Sequence, residues 1–317
     1  MKLKTTIIVL SVGLAFALSN CGKNNEGNSE AWETQDKVRA VATSTMVTDM
    51  VKVIGGDQVE VIGLMDPTVD PHDYAQTFED TNAINSADVV FYSGLHLEGK
   101  MQEGLEKMTE NGRNVYAVTD SIPAELIIDS DEGAHDPHVW GDPEIWVYAI
   151  NQVVKGLSKV DSKNASTYKK RGELYRAELI DLKQWALDRV KEIPEEQRVM
   201  VTSHDAFEYF GKAFGFKVEG LQGISSADEV GLNSANQLIA FIKEHKLKMI
   251  FPESSVNDKG IKAVADNAGV AVSKQPLFSD ACGNPGDLVE TNGEKYDKGT
   301  YIGMIKHNVN VVVEGLK

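Results

Sequence analysis

The chain has 317 residues, of which 42% are hydrophobic and 25% are charged, and its formal net charge is −16. This length suggests one large or two ordinary domains, and the composition is that of a globular protein with sizeable cores. Because a surface this acidic repels phosphate backbones, nucleic acid is not expected as a partner.

The N-terminus has the pattern of a targeting segment. Two lysines precede an apolar stretch at residues 5–19, which is too short and wrongly flanked for a transmembrane helix. The sequence LSNC at 18–21 then resembles a bacterial lipobox, in which the cysteine is acylated. We therefore expect a lipoprotein signal peptide at residues 1–20 and an exported protein anchored through lipid on Cys21, on the periplasmic or cell-surface side of the membrane. Plain secretion with cleavage nearby is the alternative.

A flexible tether is predicted between the lipid and the fold. Residues 21–36 are polar, aperiodic and rich in Gly, Asn and Glu. Cys282 is the only other cysteine, so no intrachain disulfide framework is expected in the mature protein. We expect Cys282 to be a small buried thiol, with a soft metal ligand as the alternative.

Strand-like and helix-like segments alternate after the tether. The predicted strands in this first part are Val38–Ala42, Val59–Met65, Ala87–Ser93 and Val115–Thr119. The predicted helices between them are Thr45–Ile54, Thr81–Ser86 and Leu97–Thr109. This βαβα order implies a mostly parallel sheet covered by helices.

The middle of the chain is predicted to be helical. Asp142 and Pro143 form a helix start, so Pro143–Lys159 is predicted as one helix. A second helix runs from about Asp161 to Ile193 and is ended by Pro194. A helix of roughly 30 residues spans about 45 Å, which is enough to run along two lobes.

The alternation then resumes. Predicted strands are Val199–Thr202, Lys217–Leu221, Met249–Phe251 and Val270–Ser273, and predicted helices are Asp205–Phe214, Asn233–His245, Lys259–Ala268 and Thr300–Leu316. The expected fold class is α/β, with two Rossmann-like lobes, each built on a mostly parallel sheet and joined by one long rigid helix. The expected boundaries are residues 37–160 for the N-terminal lobe, 161–194 for the linking helix and 195–317 for the C-terminal lobe.

Four side chains suited to metal binding lie just past predicted strands or in irregular loops. They are His72, His138, His204 and Asp280, and two of them fall in each lobe. Three imidazoles and a carboxylate suit a borderline divalent cation such as Zn²⁺. Their separations are too long for a local zinc motif, so spacing alone favours an ordinary hydrogen-bonded loop or core residue over a ligand for each single histidine.

Neighbouring residues could orient or enclose these side chains. A carboxylate can fix an imidazole through its other ring nitrogen, and the candidates for this role are Asp136, Asp142 and Glu253, although Glu253 could instead be a solvated loop acid. Trp140 and Phe207 would wall the site from water, although ordinary packing also explains them.

The remaining histidines are expected to have other roles. His96 is expected to pack near the cleft as a hydrogen-bonded residue, and His135 is expected to be a loop residue. His245 and His307 fall in predicted helices and are expected at the surface.

Six segments carry a resemblance to a known family. They are PHDY (71–74), DPHVWGDP (136–143), TSHDAFEYFGKAFGF (202–216), LQGISSADE (221–229), IFPESSVN (250–257) and FSDACG (278–283). Together with the lipobox, they resemble the metal-binding solute-binding lipoproteins of ABC importers, the TroA/PsaA/ZnuA-like family of cluster A-I, essentially from end to end. The resemblance implies a metal bound between two lobes bridged by a long helix, with these ligands: His72, His138, His204 and Asp280. It also implies an ABC permease as the partner.

The resemblance favours zinc but leaves the metal open. Manganese-selective members tend to have glutamate at the third ligand position, whereas His204 matches TroA-like and zinc-type members. Many zinc-type members have a long histidine-rich loop before the second ligand, and the corresponding residues 125–136 contain only His135. Manganese or iron could use the same ligands.

We therefore expect a monomeric extracytoplasmic receptor, not an enzyme, that captures a divalent transition metal and delivers it to a permease. Release is expected to need only a modest change at one lobe, such as a displacement of the Asp280 loop, and the long helix should limit closure of the lobes. Two alternatives are a metal-dependent hydrolase, in which zinc would keep a position open for water, and a surface adhesin as a secondary role.

Overall fold

A computed structural model describes residues 32–33, 36–129, 135–226 and 231–317. The predicted signal peptide, Cys21 and most of the predicted tether lie outside these residues. Within the described ranges, no helix combines the length and the apolar character needed to cross a membrane.

The N-terminal lobe is a four-stranded parallel sheet with helices packed against it. The strand order is β2-β1-β3-β4, and the strands are β1 (Val38–Ala42), β2 (Val59–Gly63), β3 (Val89–Tyr92) and β4 (Val115–Ala117). The helices are α1 (Thr45–Gly55), α2 (Phe78–Ser86) and α3 (Gln102–Glu110). Because all four strands run in the same direction, the loops that follow them collect at one edge of the sheet.

Helix α2 begins three residues earlier than its apolar pattern predicts. Thr77 and Asp80 form a capping box, in which the Thr77 hydroxyl accepts the Asp80 N–H and the Asp80 carboxylate accepts the Thr77 N–H. The first helical residue, Phe78, is 74% exposed, so hydrophobic periodicity does not reveal this start.

The prediction of a single helix over Pro143–Lys159 is wrong. The structure has two helices, α4 (Pro143–Trp146) and α5 (Ile150–Val160). The carbonyl of Val147, between the two helices, accepts a hydrogen bond from the Arg176 guanidinium. In this turn the backbone hydrogen bonds join residues three apart instead of four. The start at Asp142 is as predicted, since its side chain caps α4.

The long helix α6 spans Ala165–Val190 and is therefore shorter than the predicted run from Asp161 to Ile193. A separate 3-10 turn at Ser162–Asn164 precedes it. Its 26 residues correspond to about 39 Å. One face is buried against helices of both halves of the molecule, through Tyr168, Tyr175, Leu179, Leu182 and Ala186.

The C-terminal lobe contains two parallel strand pairs. They are β5 (Val199–His204) with β6 (Lys217–Gln222), and β7 (Met249–Ile250) with β8 (Ala271–Val272). The two pairs meet where the Phe251 N–H bonds to the Val201 carbonyl. The helices are α7 (Glu208–Phe214), α8 (Leu232–Glu244), α9 (Lys259–Ala268) and α10 (Tyr301–Leu316).

A β-hairpin before α10 was not predicted. Strands β9 (Leu288–Thr291) and β10 (Glu294–Asp297) pair antiparallel. Asn292 and Gly293 join them with φ values of 54° and 78°, as a tight two-residue turn requires. The strands carry many charged residues and only partial burial, so no apolar alternation marks them.

One hydrophobic core runs through both lobes and α6. Buried residues from α1, α6, α7 and α10 belong to the same packed cluster, among them Met46, Tyr175, Phe210 and Tyr301. The two lobes are thus held together by shared packing as well as by the chain.

A partly buried carboxylate lies in this junction. Asp49 of α1 accepts hydrogen bonds from the Tyr301 N–H (3.0 Å) and the Tyr175 hydroxyl (3.3 Å), both through Oδ2. Burial raises the pKa of Asp49 to about 6, although these bonds and the charge of Lys52 oppose the shift. The charge of Asp297 adds to the rise.

We expect Asp49→Asn to stabilise the protein increasingly as the pH rises from 4 to 7. Unfolded Asp49 ionises near pH 4, but folded Asp49 keeps its proton until about pH 6. Its contribution to the free energy of unfolding therefore falls by about 3 kcal/mol over that window in the parent chain. An asparagine oxygen can accept the same two bonds without the charge.

Urea unfolding of the metal-free protein at several pH values measures this difference. Asp266→Asn, at an exposed position of α9, is the matched control and should show no such pH-dependent gain. An equal difference between Asp49→Asn and the parent at pH 4 and pH 7 would contradict the assignment.

Candidate metal centre

His72 lies in the long loop that leads from β2 to α2. Asp70, two residues earlier, accepts the His72 backbone N–H at 2.9 Å through Oδ1. Pro71 between them restricts Asp70 to an extended conformation. This local turn sets the direction in which the His72 ring leaves the loop.

His138 is fixed by a carboxylate two residues before it. Asp136 Oδ1 accepts both the backbone N–H (2.9 Å) and the Nδ1–H (2.7 Å) of His138. Both side chains are almost fully buried. With Nδ1 bound to Asp136, Nε2 is the ring nitrogen that faces the site.

His204 is held in the same manner in the other lobe. It is the last residue of β5, a strand buried along its whole length. Glu253, which follows β7, accepts the His204 backbone N–H through Oε1 (2.9 Å) and the Nδ1–H through Oε2 (2.5 Å). In each lobe, therefore, one carboxylate accepts two hydrogen bonds from the histidine that it orients.

Asp280 is carried by a loop that is clamped from several sides. Asn308 of α10 donates to the Phe278 carbonyl (2.7 Å) and accepts the Phe278 N–H (2.8 Å). The hydroxyls of Ser255 and Ser279 lie 3.1 and 3.2 Å from Asp280 Oδ2. The Asp280 carboxylate therefore has little freedom to move.

These four side chains converge on one point between the lobes. One ligand atom from each lies within 4.8 Å of the others. The His72 and His138 Nε2 atoms are 3.2 Å apart, and the His138 and His204 Nε2 atoms lie 3.3 Å from the two Asp280 oxygens. A tetrahedron with zinc–ligand distances of about 2.05 Å has edges of about 3.3 Å.

Two buried polar atoms in this cluster have no hydrogen-bond partner among the described residues. They are His204 Nε2 and Asp280 Oδ1. Unsatisfied buried polar atoms are uncommon because each one costs about 1–3 kcal/mol. Both atoms are directed into the centre of the cluster, where a cation would satisfy them.

The electrostatics of the centre favour positive charge. Burial opposes protonation of His138, but the charges and hydrogen bonds of Asp136 and Asp280 outweigh it and raise the pKa of His138 to about 9. The pKa of His204 is likewise raised, because Glu253 and Asp280 outweigh its burial. A divalent cation would be stabilised by the same carboxylates.

His72 differs from the other two histidines. Burial lowers its pKa to about 3, and the charge of Asp280 only partly offsets this. Its imidazole is therefore neutral around pH 7, with a lone pair available to a cation.

Several sequence-based expectations are wrong. Asp142, a candidate for orienting a histidine, instead caps α4 and forms an ion pair with Lys183 at 2.7 Å. His307 is buried rather than at the surface, because its Nε2 bonds to a backbone carbonyl inside the lobe. His96 is exposed rather than packed near the cleft, and its backbone N–H, not its ring, bonds to Gln102.

The other residues considered lie outside the cluster. Cys282 is buried, and its backbone N–H bonds to the Thr45 hydroxyl. His135 is exposed and pairs with Asp129, while His245 is half-buried against Phe241.

The two aromatic residues beside the ligands are both buried. Trp140 packs 5.4 Å from the His138 ring and donates its indole N–H to the Ser279 carbonyl at 2.7 Å, which joins the two lobes. Phe207 packs against Phe210.

Sequence reasoning missed the residues that hold the Asp280 loop, chiefly Asn308 and the serines at 255 and 279. The available signal was the run His307, Asn308 and Asn310 inside the otherwise apolar helix α10. Polar residues on a buried helical face need partners, and here the partners are the backbone of the site loop and neighbouring side chains.

Comparison with known proteins identifies the family of this chain. The profile of the family described as "Zinc-uptake complex component A periplasmic" matches residues 40–315. The chain belongs to this ZnuA/TroA/PsaA family of metal-binding periplasmic solute-binding proteins.

Its similar relatives in this family differ in the metal that they are named for. The manganese-binding lipoprotein MntA of Bacillus subtilis is 40% identical over 308 residues, which covers 95% of this chain and 96% of the relative. The zinc-binding protein TroA of Treponema pallidum is 38% identical over 312 residues, with coverage of 97% and 96%. The solved structure of periplasmic TroA covers 88% of this chain and 99% of its own, with a TM-score of 0.82 and 38% identity.

Proposed function

We propose that this protein captures a divalent transition metal between its two lobes and delivers it to an ABC permease, with zinc favoured and manganese or iron as the alternatives. The observation that carries the proposal is the convergence of His72, His138, His204 and Asp280 on one point. The metal is cargo rather than a resident cofactor, so the site must hold it and later give it up.

The binding mechanism follows from the arrangement of the ligands. His72 and His138 come from one lobe, and His204 and Asp280 come from the other, so one cation would join the lobes. The shared hydrophobic core and the long helix α6 favour a limited movement of the lobes over a wide hinge opening.

Zinc is favoured by the chemistry of the donors. Three imidazoles and one carboxylate at edges near 3.3 Å suit a small tetrahedral ion. Manganese prefers more oxygen donors, whereas Fe²⁺ also binds imidazoles together with a carboxylate, and affinity alone does not decide which metal a protein carries in the cell. We therefore propose zinc as the metal that the site binds most tightly, and zinc, manganese or iron as the metal carried in the cell.

A hydrolase is less consistent with this site. Catalytic zinc keeps one coordination position for water beside a general base. Here the four donors can complete a tetrahedron, and the nearby carboxylates Asp136 and Glu253 are each committed to two hydrogen bonds with a histidine.

The membrane arrangement also remains part of the proposal. We propose lipid on Cys21, a tether up to residue 36, lobes at 37–160 and 195–317 with the linking helix at 161–194, and a monomer that meets its permease outside the cytoplasmic membrane. These assignments rest on the sequence of the N-terminus and on the order of the elements.

We expect protein purified from its native envelope to contain about one equivalent of transition metal, with zinc binding most tightly in vitro. Elemental analysis followed by competition titration with Zn²⁺, Mn²⁺ and Fe²⁺ measures both quantities. Chelation should remove the metal reversibly. Absence of any transition metal, together with no micromolar binding in vitro, would overturn the proposal.

A further inference from the structure

The four side chains of the metal centre are not held equally. His138 and His204 are fully buried and each is bound by a carboxylate, while Asp280 is 2% exposed and is bound by two serine hydroxyls. His72 is only partly buried, and among the described residues its Nδ1 has no hydrogen-bond partner. Among the described residues, His72 is therefore the side chain of the four whose displacement breaks the fewest hydrogen bonds.

The backbone of His72 is held by a hydrogen bond to Asp70. Oδ1 of Asp70 accepts the His72 backbone N–H at 2.9 Å. Oδ2 accepts a hydrogen bond from the Ser226 hydroxyl, in the loop after β6 of the other lobe. Ser226 is itself tied to the end of β6, because Gln222 donates to its carbonyl at 2.9 Å. The loop that carries His72 is thus fastened across the cleft.

We propose that Ser226 is a positioning residue, which holds His72 in the metal centre through Asp70, and that cargo enters and leaves when this hydrogen bond across the cleft opens. This inference rests on the proposed function. It places the moving part at the His72 loop, whereas sequence reasoning placed it at the Asp280 loop. The clamp of Asn308 on that second loop supports the change.

Breaking the contact should act on rate more than on fold. The bond from Ser226 involves a carboxylate, and hydrogen bonds to charged groups are stronger than neutral ones. Its loss would remove the hydrogen bond that ties the loop of Asp70 and His72 to the other lobe. Metal should then escape about ten-fold faster, because the loss of one hydrogen bond of this kind lowers the barrier to release by a corresponding amount.

The test measures zinc release from the loaded full chain into excess chelator by stopped flow. Ser226→Ala should release zinc about ten-fold faster than the parent, while the metal-free protein stays folded and unfolds cooperatively in urea. Ser226→Thr keeps a hydroxyl and should restore slow release. Ser234→Ala, at an exposed position of α8, is the matched control and should behave as the parent does.

The outcomes separate this inference from the proposed function. If the parent chain binds no zinc at equilibrium, the proposed function fails. If the parent binds zinc and Ser226→Ala releases it at the parent rate, the positioning role of Ser226 fails while the function stands. Faster release that Ser226→Thr does not correct would also overturn the role.

Discussion

Replacing His204 by alanine is expected to weaken zinc binding by at least about 100-fold. The change removes one of four donors and leaves Glu253 and Asp280 as buried carboxylates without their partner. Loss of a group that only orients a metal ligand already weakens binding by about 10- to 100-fold, and loss of the ligand itself should cost more. Competition with a calibrated chelator at fixed pH measures the dissociation constant.

His245→Ala is the matched control for this experiment. His245 is half-buried on the same lobe and contacts Phe241, so its removal tests the effect of losing a histidine without touching the centre. It should leave the dissociation constant unchanged. A His204→Ala protein that is folded and binds zinc as tightly as the parent would remove His204 from the metal centre.

The second large effect is expected from Glu253→Gln. Glu253 accepts two N–H groups of His204, one with each oxygen. Glutamine has one acceptor oxygen, so it must leave one donor unpaired or place its own N–H group against the Nδ1–H of His204. We expect zinc affinity to fall by about 10- to 100-fold, because the imidazole loses both its orientation and its negative neighbour.

The corresponding variant in the other lobe is Asp136→Asn, which keeps the length of the side chain. Asp136→Asn should show a smaller loss than Glu253→Gln, because Asp136 accepts both N–H groups of His138 through one oxygen, which an asparagine oxygen can replace, so that mainly the negative charge is lost. Glu244→Gln, at the exposed end of α8, serves as the control. Unchanged affinity in both Glu253→Gln and Asp136→Asn would show that backbone packing alone orients the histidines.

Much of the fold could be predicted because its signals are local. The apolar strands Val38–Ala42 and Val199–Thr202 are followed by helical periodicity, and this order already requires parallel sheets with crossover helices. Where a boundary depends on contacts from elsewhere, the prediction is less accurate. The break between α4 and α5 involves Arg176, which lies about thirty residues further along the chain.

The side chains of the candidate metal centre were also visible in the sequence, but their geometry was not. His72 and Asp280 are separated by more than two hundred residues, so no spacing rule could place them together. Asp136 and Asp142 were equivalent candidates near His138. The fold separates them, because Asp142 caps α4 and binds Lys183 while Asp136 turns back onto the histidine.

The sequence by itself thus determined the α/β class, the long helix and the side chains able to bind a metal, since these follow from periodicity and residue chemistry. Only the tertiary structure decided which carboxylates orient the histidines, that His307 is buried, and that Ser226 reaches Asp70 across the cleft. These are contacts between distant segments, and their distances exist only once both lobes are packed on α6.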